Sequence, residues 1–308
     1  MRHVLTLFDL TTPEIERIFA ITEDIKTKLQ QGLREPLLPG RVLAMIFEKP
    51  SLRTRVSFET GMTHLGGASQ FLGADVGWGK REAMSDFSQV LSQYVDAIVC
   101  RAKDHRKVAE LAKYATCPVI NGLTDVSHPC QALADLYTLK ERRGSLEGAK
   151  LAFVGDANNV SRSLAVACAK LGVRFSIAAP EGYQFAPEFL EQLQKEVPGG
   201  QLQQTTDPVE AVQGADAVYT DVWASMGQEA EKKLRAQAFA SHQVNGELMR
   251  QAPPEAIFLH CLPAHRGEEV TDEVIDSPQS AVLQQAGNRL HVQKGILVWL
   301  LAAQADNA

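Results

Sequence analysis

Short apolar runs alternate with longer amphipathic stretches along almost the whole chain, and this alternation restricts the fold more than any other feature. Val42–Phe47 is an unbroken apolar run, and Arg53–Leu65 after it has helical periodicity. Further apolar runs occupy Ala97–Cys100, Pro118–Ile120, Leu151–Val154, Phe175–Ala178, Ala217–Thr220 and Ile257–Leu259. Unbroken apolar runs are typical of parallel strands that helices cover on both faces. The sequence therefore predicts an α/β fold.

Helices are predicted between these strands, at Ser85–Tyr94, His105–Tyr114, Pro129–Arg143 and Val160–Leu171. The chain has 308 residues, which suits two domains of about 150 residues each. We place the boundary so that residues 1–145 and 146–308 form the two domains, each a parallel sheet flanked by helices. A final helix at about 280–303 is long enough to return to the first domain.

Charge and cysteine content narrow the functional classes. The net charge is −6, which does not favour binding to nucleic acid or to an anionic membrane surface. No apolar stretch is long enough for a membrane span, and the first ten residues do not resemble a secretion signal. The odd number of cysteines, without a Cys-x-x-Cys pair, argues against a disulfide framework. We therefore expect a cytoplasmic protein.

Ligands of parallel α/β sheets bind beyond the carboxyl ends of the strands, so the residues that follow each strand are the first candidates. Ser51-Leu52-Arg53-Thr54-Arg55 follows the first apolar run and begins a helix. Free N–H groups at a helix start, together with hydroxyl and guanidinium donors, suit a phosphate. The alternative is a serine N-cap with solvated arginines.

Four more residues of the first sheet and the last helix can contribute to the same site. Arg101 follows a strand, His128 and Gln131 flank a helix start, and Arg289 lies on the final helix. A histidine and a glutamine can donate to a carbonyl oxygen. Each residue alone also fits an ordinary surface or capping position.

In the second half, Asp156-Ala157-Asn158-Asn159 follows a strand where a dinucleotide-binding fold would carry Gly-x-Gly-x-x-Gly. Only Gly155 is present, so a nicotinamide-dependent oxidoreductase is not favoured. Asp221 follows another strand and can pair with an ammonium group, although it can also cap a helix. His260 and Cys261 follow the strand at Ile257–Leu259.

Two rival hypotheses concern the histidines and cysteines. One is a metal cluster of His128, Cys130, His260, Cys261 and His265, but the spacing does not match the common zinc motifs. The other is a nucleophile pair of Cys261 and His260. Neighbouring residues on a strand point to opposite faces, which leaves His260 badly placed to activate Cys261.

Taken in order, these segments resemble the ornithine branch of the aspartate/ornithine carbamoyltransferase family. The resemblance runs from Leu5 to Leu301 and rests on Ser51-Leu52-Arg53-Thr54-Arg55, Arg101, His128-Pro129-Cys130-Gln131, Asp221…Ser225-Met226-Gly227 and His260-Cys261-Leu262-Pro263. The last two motifs are those of the ornithine branch. Asp221 would also repel aspartate and attract the α-ammonium of ornithine.

The resemblance implies the roles of the residues and the partners. Carbamoyl phosphate would bind to the first domain, through Ser51, Leu52, Arg53, Thr54, Arg101, His128, Gln131 and Arg289. Ornithine would bind to the second, through Asn159, Asp221, Ser225, Met226, Cys261 and Leu262. Arg53, Arg101, His128 and Cys261 would be the catalytic residues. No metal or organic cofactor is implied, and the family forms trimers in which a loop of the neighbour closes each site.

The chain departs from the family at two places. Leu52 stands where many members have threonine, and a backbone N–H can still serve there. Gly77 stands where many ornithine enzymes have a glutamine in the neighbour's loop, and Lys80 is the candidate to replace it. Trp78 beside it keeps a modified ornithine open as the substrate. A non-catalytic homologue is the remaining alternative.

Overall fold

The computed structural model describes residues 1–224 and 229–302. The chain forms two compact units: residues 1–133 together with the segment from Gly287 onward, and residues 134–286. The sequence-based boundary between residues 145 and 146 stays a prediction.

The first unit is built on a parallel sheet. Its strands are β1 (Val42–Phe47), β2 (Ala68–Leu72), β3 (Ala97–Arg101) and β4 (Val119–Leu123), hydrogen-bonded in the order β2-β1-β3-β4. Its helices are α1 (Thr12–Gln30), α2 (Leu52–His64), α3 (Met84–Tyr94) and α4 (His105–Tyr114), followed by the start of α5 (Pro129–Arg143). The central strands β1 and β3 are apolar and almost wholly buried, because helices need an apolar surface on each face of the sheet.

The second unit repeats this plan with one more strand. Its strands are β5 (Lys150–Val154), β6 (Arg174–Ala178), β7 (Leu202–Thr205), β8 (Ala217–Thr220) and β9 (Ile257–His260), parallel in the order β7-β6-β5-β8-β9. Its helices are α6 (Asn159–Lys170), α7 (Pro187–Glu196), α8 (Pro208–Val212), α9 (Lys232–Ala238), α10 (Gly246–Met249) and α11 (Asp272–Ile275). One hydrophobic core cluster of this unit includes Val154 of β5, Val218 of β8 and Phe258 of β9.

The last helix, α12 (Val282–Leu301), returns to the first unit from Gly287 onward. There Lys26 of α1 donates to Asn288 Oδ1 at 2.7 Å, and a Cβ on Gly61 of α2 would lie 3.3 Å from Lys294 Cγ. The predicted α/β fold, with two sheet domains and a returning helix, is confirmed. No helix of the described residues is both long and apolar enough to cross a membrane.

Candidate active site

The strand order places the predicted site residues at two switch points. In the first sheet the chain leaves β1 for β2 on one side and later adds β3 on the other, so the loops after β1 and β3 lie side by side. In the second sheet β5 has β6 on one side and β8 on the other. A crevice forms at the carboxyl ends of the strands where the order reverses in this way. Residues 48–55 and Arg101 lie at the first switch point, and residues 155–159 and Asp221 at the second.

At the first switch point, Thr54 is the centre of a buried cluster of donors. Its Oγ1 accepts from Arg101 Nη1 at 3.1 Å and from Arg289 Nη2 at 3.0 Å, and Arg289 Nη1 also donates to Gln131 Oε1. We call Thr54, Arg101, Gln131 and Arg289 the Thr54 cluster. Two guanidinium groups occupy both lone pairs of the hydroxyl, so toward a ligand Thr54 can only donate. The cluster carries two positive charges at one helix start.

The start of α2 separates residues that can face a ligand from residues that cannot. Ser51 occupies the N-cap position, but its side chain makes no capping hydrogen bond. Arg55 donates to Glu59 Oε1 at 3.0 Å and lies over the Phe71 ring at 3.8 Å, so it is engaged away from the Thr54 cluster. The side chain of Leu52 is 74% exposed, which leaves its backbone N–H as its contribution. Arg53, two residues from Arg55, is half-buried.

His128 lies at the start of α5 and is buried. Burial lowers the pKa of its imidazole well below 6.5, and the positive charges of Arg289 and Arg101 lower it further. The ring is therefore neutral at physiological pH. A neutral imidazole can donate one hydrogen bond without adding a third charge to the pocket.

At the second switch point, Asp221 is the centre of a cluster of opposite character. Its Oδ2 accepts from Asn158 Nδ2 at 2.8 Å, and its Oδ1 accepts from Cys261 Sγ at 3.0 Å and from the Val222 N–H at 2.8 Å. We call Asn158, Asp221 and Cys261 the Asp221 cluster. All three donors are neutral, so the carboxylate keeps its negative charge available to a cationic ligand.

The asparagine that reaches Asp221 is Asn158, which sequence reasoning missed in favour of Asn159. Asn158 is the N-cap of α6, and its Oδ1 accepts from the N–H groups of Val160 and Ser161 at 2.9 and 3.0 Å. The cap fixes the amide so that its Nδ2 is left to donate to Asp221. Asn159 is the first residue of the helix and stays a predicted ligand.

A second residue that sequence reasoning missed is Arg235 of α9. Its Nη1 donates to Asp156 Oδ2 at 2.7 Å and to the Trp223 carbonyl at 3.0 Å. It therefore ties the segment after β8 to the segment after β5. Arg235 is the one arginine of α9, and nothing in the sequence of this helix indicates its partners.

The segment after β9 is fixed by a buried histidine. The Leu262 N–H donates to His260 Nδ1 at 2.9 Å, so the neutral ring carries its proton on Nε2, which faces Glu269 Oε1 at 3.1 Å. Leu262 has a φ of 56°, a left-handed conformation that costs about 1–3 kcal/mol in a residue other than glycine. The hydrogen bond to His260 helps to hold that conformation, and with it Cys261 beside Asp221.

These contacts decide between the rival roles of the thiol and the histidines. Burial raises the pKa of the Cys261 thiol well above 9, and the charge of Asp221 raises it further, so the thiol stays protonated. Because His260 Nδ1 accepts from Leu262, it does not activate Cys261, and the nucleophile hypothesis is not supported. Of the five residues in the suggested metal cluster, His128 and Cys130 belong to the first unit, whereas His260, Cys261 and His265 belong to the second.

In the loop between β2 and α3, the Trp78 side chain packs within the first unit. Trp78 is buried and donates from Nε1 to Met84 Sδ at 3.0 Å. Gly77 has a φ of 68°, and a Cβ there would meet the side chain of Arg81, so the glutamine that the resemblance implies for this position could not take this conformation without strain. Lys80 is exposed, and its role stays a prediction. The predicted ligands Ser225 and Met226 lie outside the described residues.

Comparison with known proteins matches the chain to two models of one family. Residues 2–141 match the family model "Aspartate/ornithine carbamoyltransferase, carbamoyl-P binding domain", and residues 147–300 match "Aspartate/ornithine carbamoyltransferase, Asp/Orn binding domain". An ornithine carbamoyltransferase of Anoxybacillus flavithermus is 53% identical over 96% of each chain. An anabolic ornithine carbamoyltransferase of Pyrococcus furiosus is 51% identical over 97% of this chain and 96% of its own. A solved structure of the ornithine carbamoyltransferase from Pyrococcus furiosus superposes with a TM-score of 0.94 over 97% of both chains.

Proposed function

The chain belongs to the aspartate/ornithine carbamoyltransferase family, and on that premise we propose that it transfers the carbamoyl group of carbamoyl phosphate to the δ-amine of L-ornithine, giving L-citrulline and phosphate. The observation that carries the proposal is the opposite charge of the two clusters. The Thr54 cluster presents two guanidinium groups to an anion, whereas the Asp221 cluster presents one carboxylate to a cation.

Carbamoyl phosphate binds at the start of α2. Ser51, Leu52 and Arg53 hold the phosphate through the free N–H groups of the first helical turn and through their side chains, because the positive end of a helix favours an anion. Arg101 adds a bidentate donor to the phosphate oxygens. Gln131, held by Arg289, and His128 contact the carbamoyl group.

Ornithine binds around Asp221. Its α-ammonium pairs with the carboxylate, while Asn159, Ser225 and Met226 hold the remaining polar groups of the amino acid. The same carboxylate disfavours aspartate, whose second carboxylate would meet a negative charge. Cys261 and Leu262 lie beside the reacting δ-amine.

The reaction is an attack by the neutral δ-amine on the carbonyl carbon. Arg53, Thr54 and His128 donate to the carbonyl oxygen as it gains negative charge in the tetrahedral intermediate. Thr54 is suited to this task, because both of its lone pairs already accept from guanidinium groups and its proton points elsewhere. The C–O bond to phosphate then breaks, and the departing phosphate takes the proton of the amine. No step draws on a metal or an organic cofactor.

Two further features support a homo-oligomer and a cytoplasmic location. Leu52 and Val56 on α2, and Val90 and Tyr94 on α3, form two exposed apolar pairs at i,i+4 spacing, which suits a subunit interface. We take that interface to be the one of a homotrimer, with Lys80 reaching the neighbour's carbamoyl phosphate. All five cysteines are free thiols, as a reducing cytoplasm would keep them. The anabolic name of one relative supports a role in arginine biosynthesis.

One assay tests the substrate. The purified chain is incubated with carbamoyl phosphate and, separately, with ornithine, acetylornithine, putrescine or aspartate, and the ureido product is measured. Turnover with ornithine should exceed the others by at least about a hundredfold, since acetylornithine lacks the α-ammonium, putrescine lacks the α-carboxylate, and the second carboxylate of aspartate opposes Asp221. Preference for acetylornithine would establish the modified-substrate alternative, and no turnover with any amine would establish the non-catalytic one.

A further inference from the structure

A second group of ligating side chains lies in the turn between β9 and α11, at residues 265–269. The N–H of Glu268 donates to the carbonyl of His265 at 2.9 Å and so closes the turn. His265 Nδ1 lies 3.6 Å from Glu268 Oε2 and 4.0 Å from Glu269 Oε2. One ligand atom of each of these three residues lies within 4.8 Å of the other two. We call His265, Glu268 and Glu269 the Glu269 cluster.

Glu269 is a buried carboxylate with one oxygen left over. Its side chain is 0% exposed. Its Oε1 faces His260 Nε2 at 3.1 Å and accepts from the His265 N–H at 2.6 Å. Its Oε2 has no hydrogen-bond partner within residues 1–224 and 229–302, and it is this oxygen that lies 4.0 Å from His265 Nδ1. A buried carboxylate oxygen is costly without a partner, so Oε2 calls for a donor or a cation.

The charges around the cluster do not offset this carboxylate. Glu268 Oε1 pairs with Lys232 Nζ at 2.8 Å, which leaves Glu268 Oε2 toward the cluster. In the part of the chain that the structure describes, no lysine or arginine pairs with Glu269. The ring of His260 is neutral, since its Nδ1 accepts from the Leu262 N–H. One negative charge therefore remains buried without a counter-charge, and a cation at the cluster would supply it.

From this arrangement we propose that the Glu269 cluster binds a divalent transition-metal cation of the zinc class, with His265 Nδ1, Glu268 Oε2 and Glu269 Oε2 as its ligands. Ligand atoms of a tetrahedral zinc site lie about 3.4 Å from one another, so the separations of 3.6 and 4.0 Å need to shorten by only ~0.6 Å or less. The side chains of His265 and Glu268 are partly exposed, which leaves them free to make this movement and lets water complete the coordination. An imidazole beside two carboxylates suits zinc, cobalt or nickel, whereas calcium and magnesium prefer oxygen ligands alone.

The cation stabilises the segment after β9. It binds Glu269 Oε2, and Oε1 of the same carboxylate faces His260 Nε2, whose ring in turn holds the Leu262 N–H. It therefore acts as a fixed point for the buried histidine and for the backbone that follows. The Glu269 cluster shares no residue with the Asp221 cluster, so cation binding does not depend on which substrate the chain accepts.

Titration of the intact, metal-free chain with cobalt(II), by calorimetry and visible absorption in a chelator-free buffer, tests the site. Wild type should bind one cobalt ion per chain at the cluster. His265→Gln and Glu268→Gln should each weaken binding by at least about tenfold, because even an outer-shell residue contributes that much. Both side chains are partly exposed, so the Tm of each metal-free variant should stay close to that of wild type. Glu273→Gln is the matched control, an exposed carboxylate on α11 outside the cluster, and should bind cobalt as wild type does.

Two further variants give the opposite sign and exclude the thiol. Lys232→Met frees Glu268 from its ion pair, so cobalt should bind more tightly, by up to about fivefold, the scale of a surface ion pair. Cys261→Ser should leave cobalt binding unchanged, and the wild-type spectrum should contain no thiolate-to-metal charge-transfer band. Such a band, lost in Cys261→Ser, would overturn the site, because the metal would then lie on the thiol. Binding that survives both His265→Gln and Glu268→Gln undiminished would overturn it as well, and so would the absence of cobalt binding to wild type.

Discussion

The two clusters at the switch points use the same architectural position for opposite electrostatic purposes. In each, a short polar side chain follows a buried strand and is held by side chains from other elements. The Thr54 cluster surrounds a neutral hydroxyl with cations, whereas the Asp221 cluster surrounds an anion with neutral donors. The difference shows that the parallel sheet supplies a place, and that the few residues after each strand decide the charge of the ligand.

The two clusters also differ in how their central groups are held. Thr54 accepts from two arginines on different elements, one after β3 and one on α12. Asp221 accepts from Asn158, which caps α6, and from the thiol of Cys261, which directly follows β9. The Thr54 cluster depends on long arginine side chains that reach Thr54 from different elements. The Asp221 cluster depends on the path of the backbone, which places its short side chains next to one another. Substitutions should therefore affect catalysis in the first cluster and affinity in the second.

The largest effect should come from Arg53. Arg53→Met removes a donor that faces developing negative charge, and kcat should fall by about 10² to 10³, as for other oxyanion donors. Arg55→Met is the matched control on the same helix, because Arg55 is engaged by Glu59 and Phe71. It should change kcat by no more than about fivefold, the scale of a surface ion pair. Steady-state kinetics with circular dichroism measures both, and equal losses in the two variants would contradict the assignment of Arg53.

A smaller and different effect is expected at Asp221. Asp221→Asn keeps the shape but removes the charge, so KM for ornithine should rise by about 30-fold or more, equivalent to ~2 kcal/mol or above for a lost partner of a buried charge pair. The dissociation constant of carbamoyl phosphate should stay within about twofold. An unchanged KM for ornithine, or an equal loss for both substrates, would break the comparison between the clusters.

The third effect concerns the thiol of Cys261. Its pKa is raised by burial first and by Asp221 second, so wild type should react slowly with iodoacetamide at pH 8. Asp221→Asn should speed the reaction by about tenfold for each pKa unit that the negative charge contributes. Cys261→Ser should abolish it, because the other four cysteines are buried, and should keep reduced but measurable turnover. Rapid alkylation in wild type, with a covalent intermediate trapped during turnover, would restore the nucleophile hypothesis.

The buried strands could be predicted from the sequence, including the edge strands β4 and β9, whereas the exposed edge strands could not. β1 and β8 were predicted with their observed bounds, because strands buried on both faces are unbroken apolar runs. β2 and β7 were missed. Each lies at the edge of its sheet and is mostly polar or partly exposed, so it lacks that run. Helix α1 was missed too, although Thr11, Pro13 and Glu14 form a capping box with proline at its start, a signal that was present in the sequence.

The sequence predicts which loops form the site, but it does not predict the contacts between their side chains. Arg101 and Arg289 both donate to Thr54, and Gln131 accepts from Arg289, which agrees with a single anion site, but only the geometry identifies the hydroxyl as the shared acceptor. The choice of Asn158 over Asn159 depends on which residue caps α6, a distinction of one position that helix patterns do not resolve.

The smallest effect is the pH dependence contributed by His128, the buried imidazole next to the Thr54 cluster. Its pKa in the folded chain lies well below 6.5, through burial first and the charges of Arg289 and Arg101 second. Below pH 6.5 the unfolded chain therefore binds a proton that the folded chain does not, so this contribution to stability is present above pH 6.5 and is lost as the pH falls. As the pH falls from 6.5 to 5, the free energy of unfolding measured in urea should decrease by up to about 2 kcal/mol more in wild type than in His128→Gln, because the glutamine cannot titrate. Because the other histidines are common to both chains, their contributions cancel in the difference. Equal pH slopes would mean that His128 becomes charged in the folded chain, and the assignment of His128 as a neutral donor beside the two arginines would then be wrong.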